Sequence, residues 1–178
     1  MHTTRAILIR LHPLTDTSLI VHWLTEERGL VRTAAKGARR PKSVFCGRLD
    51  LFFGGEISYH PARRGDLHTL REVAIRQWRE GLRASYACLL MAGYWCRLLG
   101  DVMEPEHPAP ELYDLLLRGL DHLEKEGPSR RALLHFENEL VRLLGIAHEA
   151  RTAEDVLRES IGRLPEVRDE LWERFCGA

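Results

Sequence analysis

The chain lacks any run apolar enough to cross a membrane. Its longest near-apolar stretch, "ASYACLLMAGYWC" over Ala84–Cys96, has 13 residues, short of the ~18 that a membrane span needs, and reads as a buried helix. The start, "MHTTRAILIRLH", has no basic segment leading into a sustained apolar run and a small-residue cleavage site. No signal peptide is expected, and the protein is expected to be soluble. Cysteine is scarce and scattered: Cys46, Cys88, Cys96 and Cys176 form no C-x-x-C pair, which argues against both a zinc site and a disulfide framework. Cys88 and Cys96 fall inside the apolar stretch, where a free thiol behaves as a small hydrophobe. The nine histidines include no H-x-x-x-H or H-E-x-x-H arrangement, so a metal site has no local support. No G-x-S-x-G, P-loop or G-x-G-x-x-G occurs, and the second half's carboxylates come as "EPE", "EKE" and "ENE", the spacing of a solvated helix face. No catalytic residue, metal or cofactor is therefore expected. Lysine is rare too, at three of the 26 cations.

What is present is unevenly distributed. The net charge is zero, but residues 1–80 carry 14 Lys and Arg against 8 Asp and Glu, a net +6, and residues 81–178 carry 12 against 18, a net −6. A basic half joined to an acidic half favours an anionic partner for the first, nucleic acid among them.

The first part of the chain has strand character. "AILIRL" (6–11) is short, branched and apolar. "SLIVHWL" (18–24) alternates, with Leu19, Val21 and Trp23 on one face, and "LVRTAAK" (30–36) places Val31, Thr33 and Ala35 together. With "TEERG" between them these two predict a β-hairpin. "RLDLFFGGEISYH" (48–60) predicts a long strand with Leu49, Leu51 and Phe53 in step, and Gly54–Gly55 predicts a bulge or sharp bend in it. "LHTLREVAI" (67–75) makes a fifth strand. Five short strands with one bend fit a small closed barrel of the OB type, and strand count alone also fits an SH3-like barrel. His22 and His68 then lie on strands, and His135 on a helix, in structural roles.

From residue 79 the period becomes helical. An apolar helix over 79–100 is followed by "PEHPAPE", with Pro110 placed to open the next helix. Leu112, Leu115, Leu116, Leu120 and Leu123 form one apolar stripe, and Leu133, Phe136, Leu140, Leu143 and Leu144 another. Thr152-Ala-Glu-Asp155 matches a capping box, and Pro165 opens a last helix. The expected fold is α+β: a five-stranded OB-type barrel over residues 1–78, followed by an all-helical domain over 79–178 packed on it.

One stretch points to function. "AAKGARRPKSVF" (34–45) holds Lys36, Arg39, Arg40 and Lys42 with no carboxylate among them. Lys36 ends a strand, Gly37 lets the backbone turn, Pro41 stiffens the loop, and Arg48 is expected to start the next strand. Such a cluster binds phosphates, each neutralised phosphate contributing roughly −0.7 to the log–log salt slope on single strands. Arginine adds bidentate clamping and stacking on bases. Among Trp23, Phe45, Phe52, Phe53 and Tyr59 most belong in the core; Phe45, outside strict alternation and three residues beyond Lys42, is the candidate base-stacking residue.

The stretch "AILIRLHPLTDTSLIVHWLTEERGLVRTAAKGARRPKSVFCGRLDLFFGGEISY" resembles the amino-terminal domain of the RecO family of bacterial recombination mediators. "PELYDLLLRGLDHLE" and "LLHFENELVRLLG" resemble that family's helical domain. The resemblance covers about residues 5–146. It implies an OB barrel followed by helices, binding of single- and double-stranded DNA, annealing of complementary strands, and loading of the RecA recombinase onto strands coated by single-strand-binding protein. It also implies a cytoplasmic, nucleoid-associated protein that is not an enzyme. The partners it implies are RecR and the acidic tail of the single-strand-binding protein. Carried over, Lys36, Arg39, Arg40 and Lys42 become DNA contacts, joined here by Arg48 and Phe45. Members often carry a four-cysteine zinc module after the position of Gly145; "IAHEARTAEDVLRESIGRL" has no cysteine, so no zinc is expected. The family's common Gly-Glu in the first loop is replaced by "TDT" (15–17). Two other function classes fit the same residues: a protein-interaction adaptor working through the acidic helical half, and an RNA-binding OB module.

Overall fold

A computed structural model describes residues 1–176. The strands are β1 (His2–Pro13), β2 (Leu19–Thr25), β3 (Gly29–Ala35), β4 (Gly54–His60) and β5 (Leu67–Gln77). After a 3₁₀ turn at Glu80–Ala84 come α1 (Tyr86–Val102), α2 (Pro110–Glu126), α3 (Arg130–Leu143), α4 (Ala153–Ile161) and α5 (Val167–Cys176). The chain divides into two compact units: Met1–Arg79 with Met103–Tyr113, and Glu80–Val102 with the described chain from Asp114 onward.

In the first unit the strands close a barrel in the order β1-β2-β3-β5-β4, with β1 and β4 paired and β3 parallel to β5. The alternation read from the sequence holds. Val21 and Trp23 of β2 and Val31 and Ala35 of β3 point into one core, where they meet Ile57 and Tyr59 of β4 and Leu70 and Val73 of β5. The polar atoms that come with them are paired, the Trp23 indole donating to the Thr33 hydroxyl at 2.9 Å. Gly54–Gly55 sits at a register shift of β4 against β5, and a Cβ on Gly55 would lie 2.2 Å from the Ala74 carbonyl oxygen. A bulge that brings two backbones this close requires glycine.

The expected strand over 48–60 is corrected: only Gly54–His60 is extended. Residues 36–53 are a chain of tight turns, with backbone bonds from Arg40 to Gly37, Ser43 to Arg40, Cys46 to Ser43 and Arg48 to Phe45 at 3.0–3.1 Å. The reason is the partner strand. β1 pairs with β4 only as far as Ile7 opposite Gly54, and a bulge between Leu8 and Arg10 then turns β1 away. Leu8 closes that ladder with two bonds, to Phe52 N–H and Phe53 C=O, and nothing extends it to residues 48–51. Leu49 reaches the core edge while Leu51 faces solvent.

The segment Met103–Tyr113, between α1 and α2, belongs with the barrel. Pro105 bridges Leu30, the Glu106 amide donates to Leu30 C=O at 2.9 Å, and His68 Nε2 lies 2.5 Å from Glu106 Oε1. His68 Nδ1 accepts from the Ala62 amide at 3.1 Å, so the donor toward Glu106 is Nε2–H. Gly29, at φ +63°, lies under His107.

In the second unit the two leucine stripes are buried through Leu115, Leu116, Leu120 and Leu123 of α2 and Leu133, Phe136 and Leu140 of α3. Trp95 stacks on Phe136 with ring centroids 4.5 Å apart. The capping box forms as expected: Thr152 Oγ1 accepts from the Asp155 amide at 3.2 Å, and Asp155 accepts from the Thr152 amide at 3.3 Å. Cys88 and Cys96 are buried thiols, and burial pushes the Cys96 thiol well above the usual range.

Candidate nucleic-acid interface

Beyond β3 the chain turns at Gly37, whose φ of +67° is a conformation other residues rarely adopt. The turn is fixed from below. Gly37 N–H donates to Ser18 Oγ at 3.1 Å, and Arg39 N–H donates to Thr17 C=O at 2.9 Å. Ser18 is itself held, its amide donating to Thr15 Oγ1 at 3.1 Å and its carbonyl accepting from Leu14 at 2.9 Å. The "TDT" loop is thus the seat of the cationic loop, a role that its sequence alone did not signal.

On this seat Lys36, Arg39, Arg40 and Lys42 are all exposed. Among the described residues none of the four enters an ion pair, whereas Arg5, Arg32 and Arg97 elsewhere each hold a carboxylate. Four cations fixed at the backbone and left uncompensated form a locally positive surface suited to a polyanion.

Arg48 and Phe45 sit differently from expectation. Arg48 lies within the turns, six residues before the start of β4, and its Nη1 donates to Val73 C=O at 3.3 Å, tying the loop's far end to β5. Phe45 is 6% exposed and part of the barrel core, so its ring is not free to stack on a base. Its place outside strict strand alternation reflects the turns around it rather than an outward aim. Next to them a depression of about 470 Å³ is lined by Val44, Phe45 and Arg48 from the loop and by Glu56, Arg71 and Glu72 from β4 and β5. Its two arginines face two glutamates, so anion attraction resides in the loop and not in this depression.

Among the described residues no group of three or more His, Cys, Asp or Glu is placed to hold a metal ion, and no helix is long and apolar enough to cross a membrane. A closed five-stranded barrel followed by a helical unit is the OB-type barrel with helical domain expected from the sequence. The family models agree: "Recombination protein O N terminal" matches residues 1–79 and "Recombination protein O C terminal" matches residues 83–152. The chain belongs to the RecO family. It is 34% identical over 140 residues to the DNA repair protein RecO of Rhodopirellula baltica, covering 79% of this chain and 52% of that one. It is 32% identical over 145 residues to the DNA repair protein RecO of Idiomarina loihiensis, covering 82% and 61%. With the RecO of Desulfatibacillum aliphaticivorans it shares 32% over 129 residues, 72% of this chain and 50% of the other. The chain thus spans about half the length of the curated relatives it matches.

Proposed function

We propose that this chain is a non-enzymatic, DNA-binding mediator of recombinational repair. In this reading it anneals complementary single strands and helps load the RecA recombinase onto strands coated by single-strand-binding protein, acting at the nucleoid in the cytoplasm. Residues 1–78 hold single- or double-stranded DNA, and the helices α1 to α5 make up the second part. Its partners are RecR and the acidic tail of the single-strand-binding protein, with RecA engaged indirectly.

The observation that carries the proposal is the loop of Lys36, Arg39, Arg40 and Lys42, exposed, without carboxylate partners and seated on the Thr17–Ser18 backbone. Bringing two polyanionic strands together is opposed by their repulsion, and a basic surface offsets it by releasing condensed counterions. No catalytic side chain is required. Arg48, on the same loop, adds charge at its far end. The test is strand annealing by the wild type and by the Lys36→Ala, Arg39→Ala, Arg40→Ala, Lys42→Ala variant across a salt titration. The variant should anneal more slowly, and its DNA-binding salt slope should be flatter by about 2 to 3 units for four lost contacts. Equal annealing by both proteins at every salt concentration would end the proposal.

A further inference from the structure

The barrel's outer surface over β1, β2 and β3 has two unlike ends. At one end the registers set Ile7 opposite Leu24 and Leu24 opposite Leu30, and Ile7 and Leu24 are fully buried. At the other end Arg10 lies opposite His22, and His22 opposite Arg32. One row further, His12 lies opposite Ile20, and Ile20 opposite Ala34. Lys36 continues the parity of Arg32 and Ala34 just past the end of β3, so this surface runs on into the cationic loop.

Arg10 faces outward because of the bulge. Leu8 points into the core, and strict alternation would send Arg10 in after it. The extra residue between Leu8 and Arg10 reverses the phase, so that Leu11 points inward instead and Arg10 joins His22 outside. A position that alternation would bury is thereby used to present a cation.

The row's electrostatics are those of an unfilled anion site. Among the described residues Arg10 has no ion-pair partner. Arg32 holds Asp66, yet its Nε is buried without a hydrogen-bond acceptor. His12 and His22 meet edge-on with ring centroids 5.2 Å apart. Partial burial, followed by the charges of His12, Arg10 and Arg32, lowers the His22 pKa to about 4, against the opposing pull of Asp66. Those are the charged groups facing His22 from β1, β3 and the turn before β5, and only one of them is acidic.

We infer that Arg10, His22 and Arg32 form a second row of phosphate contacts for single-stranded DNA, continuous with the loop of Lys36, Arg39, Arg40 and Lys42. Cross-strand neighbours stand about 5 Å apart, so the row is about 10 Å wide. Arg32 and Lys36 are four residues apart, about 13 Å along the strand direction. The strip is therefore long enough for successive phosphates, and it gives the strand a track across the sheet rather than a single point of attachment.

This inference rests on the DNA-binding reading, and the experiment separates the two. Binding of a labelled oligothymidylate to the full chain is followed over a salt series for three proteins: wild type, the four-alanine loop variant, and Arg10→Gln with Arg32→Gln. The face variant should flatten the log–log slope by about 1.4 units, two contacts at about 0.7 each, and Arg10→Lys should retain its share. An unchanged slope in the face variant, beside a flattened slope in the loop variant, overturns the strip alone. A wild type with no affinity for the oligonucleotide overturns both readings. Arg32→Gln also gives up the Asp66 pair, so melting temperatures are measured beside the slopes, and Arg10→Gln alone, which breaks no ion pair among the described residues, should melt as wild type. A second measurement needs no substitution: the His22 ring resonances should shift on oligonucleotide addition. Ring resonances that stay fixed at saturating oligonucleotide also overturn the strip.

Discussion

Arg168 and Glu137 form a two-point ion pair inside the helical unit, Nε to Oε1 at 2.7 Å and Nη2 to Oε2 at 3.1 Å, with side chains 2% and 1% exposed. Tyr94 O–H donates to the same Oε1 at 2.6 Å, and Arg168 Nη1 reaches Glu154 at 2.8 Å. Burial and the neighbouring carboxylate push the Tyr94 phenol above its ordinary range. Burial works against the Arg168 charge, and the bond to Glu137 together with the charges of Glu137 and Glu154 outweighs it, so the guanidinium is held protonated. Removing one partner strands the other: Glu137→Leu should destabilise by about 3–5 kcal/mol in urea unfolding. The double replacement Glu137→Leu with Arg168→Met should recover most of that loss, since a well-packed apolar pair is often as stable as a buried ion pair. A loss from the double variant as large as from the single one would contradict this account.

Phe45 gives a sharper test of the loop. As a core side chain, Phe45→Ala should destabilise the protein by about 3–5 kcal/mol, while Phe45→Leu, which keeps most of the volume, should be tolerated far better. Below the melting temperature Phe45→Leu should bind single-stranded DNA as wild type does. A loss of affinity in that folded variant would restore a stacking role to the ring.

Gly29 should not accept a side chain. It holds φ +63°, and a Cβ there would lie 1.9 Å from the His107 carbonyl oxygen. The left-handed conformation and the backbone clash together make Gly29→Ala cost about 2 kcal/mol or more. Thermal unfolding measures it, and a melting temperature equal to wild type would show that the Met103–Tyr113 segment does not press on the β2–β3 turn.

Acid should unfold the protein through identified carboxylates. Asp66 is held below its ordinary 3.8 by the Arg32 hydrogen bond, and Asp155 below 3.8 by Thr152. Glu139 is held below 4.5 by Arg142, and Glu159 below 4.5 by Arg151. Each folded value is depressed relative to the unfolded chain, so the contribution is present above the ordinary value and is lost as pH falls through the folded one. Melting temperature should therefore fall steadily from about pH 5 to about pH 2, and the Arg142→Gln and Arg151→Gln variants should fall less steeply. A melting temperature that is flat over that interval would exclude these pairs as the cause.

Much of this was legible in the residues. Alternation set Val21, Trp23, Val31 and Ala35 on the core side, and Thr152 with Asp155 announced the start of α4. Local signals of this kind depend on a strand's own two faces or a helix's own first turn. What could not be read depended on a partner elsewhere in the chain. Leu49, Leu51 and Phe53 alternate as a strand does, but the bulge in β1 ends the pairing at Leu8, which reaches Phe53 and leaves Leu49 and Leu51 no edge. The same bulge decides which way Arg10 points, and no pattern around Arg10 reveals it. Thr17 and Ser18 looked like an ordinary connection until their bonds to Gly37 and Arg39 gave the cationic loop its footing.

The return of Met103–Tyr113 to the barrel has a consequence for how the protein can be taken apart. The polypeptide passes between its two units three times, at Arg79–Glu80, Val102–Met103 and Tyr113–Asp114. A molecule stitched in this way has no single seam. A fragment ending at Arg79 would keep all five strands, yet it would leave Leu30 C=O without the Glu106 amide and His68 without its acceptor. Supplying residues 103–113 as a separate peptide should raise the melting temperature of such a fragment, as a missing thread restored to a torn edge would.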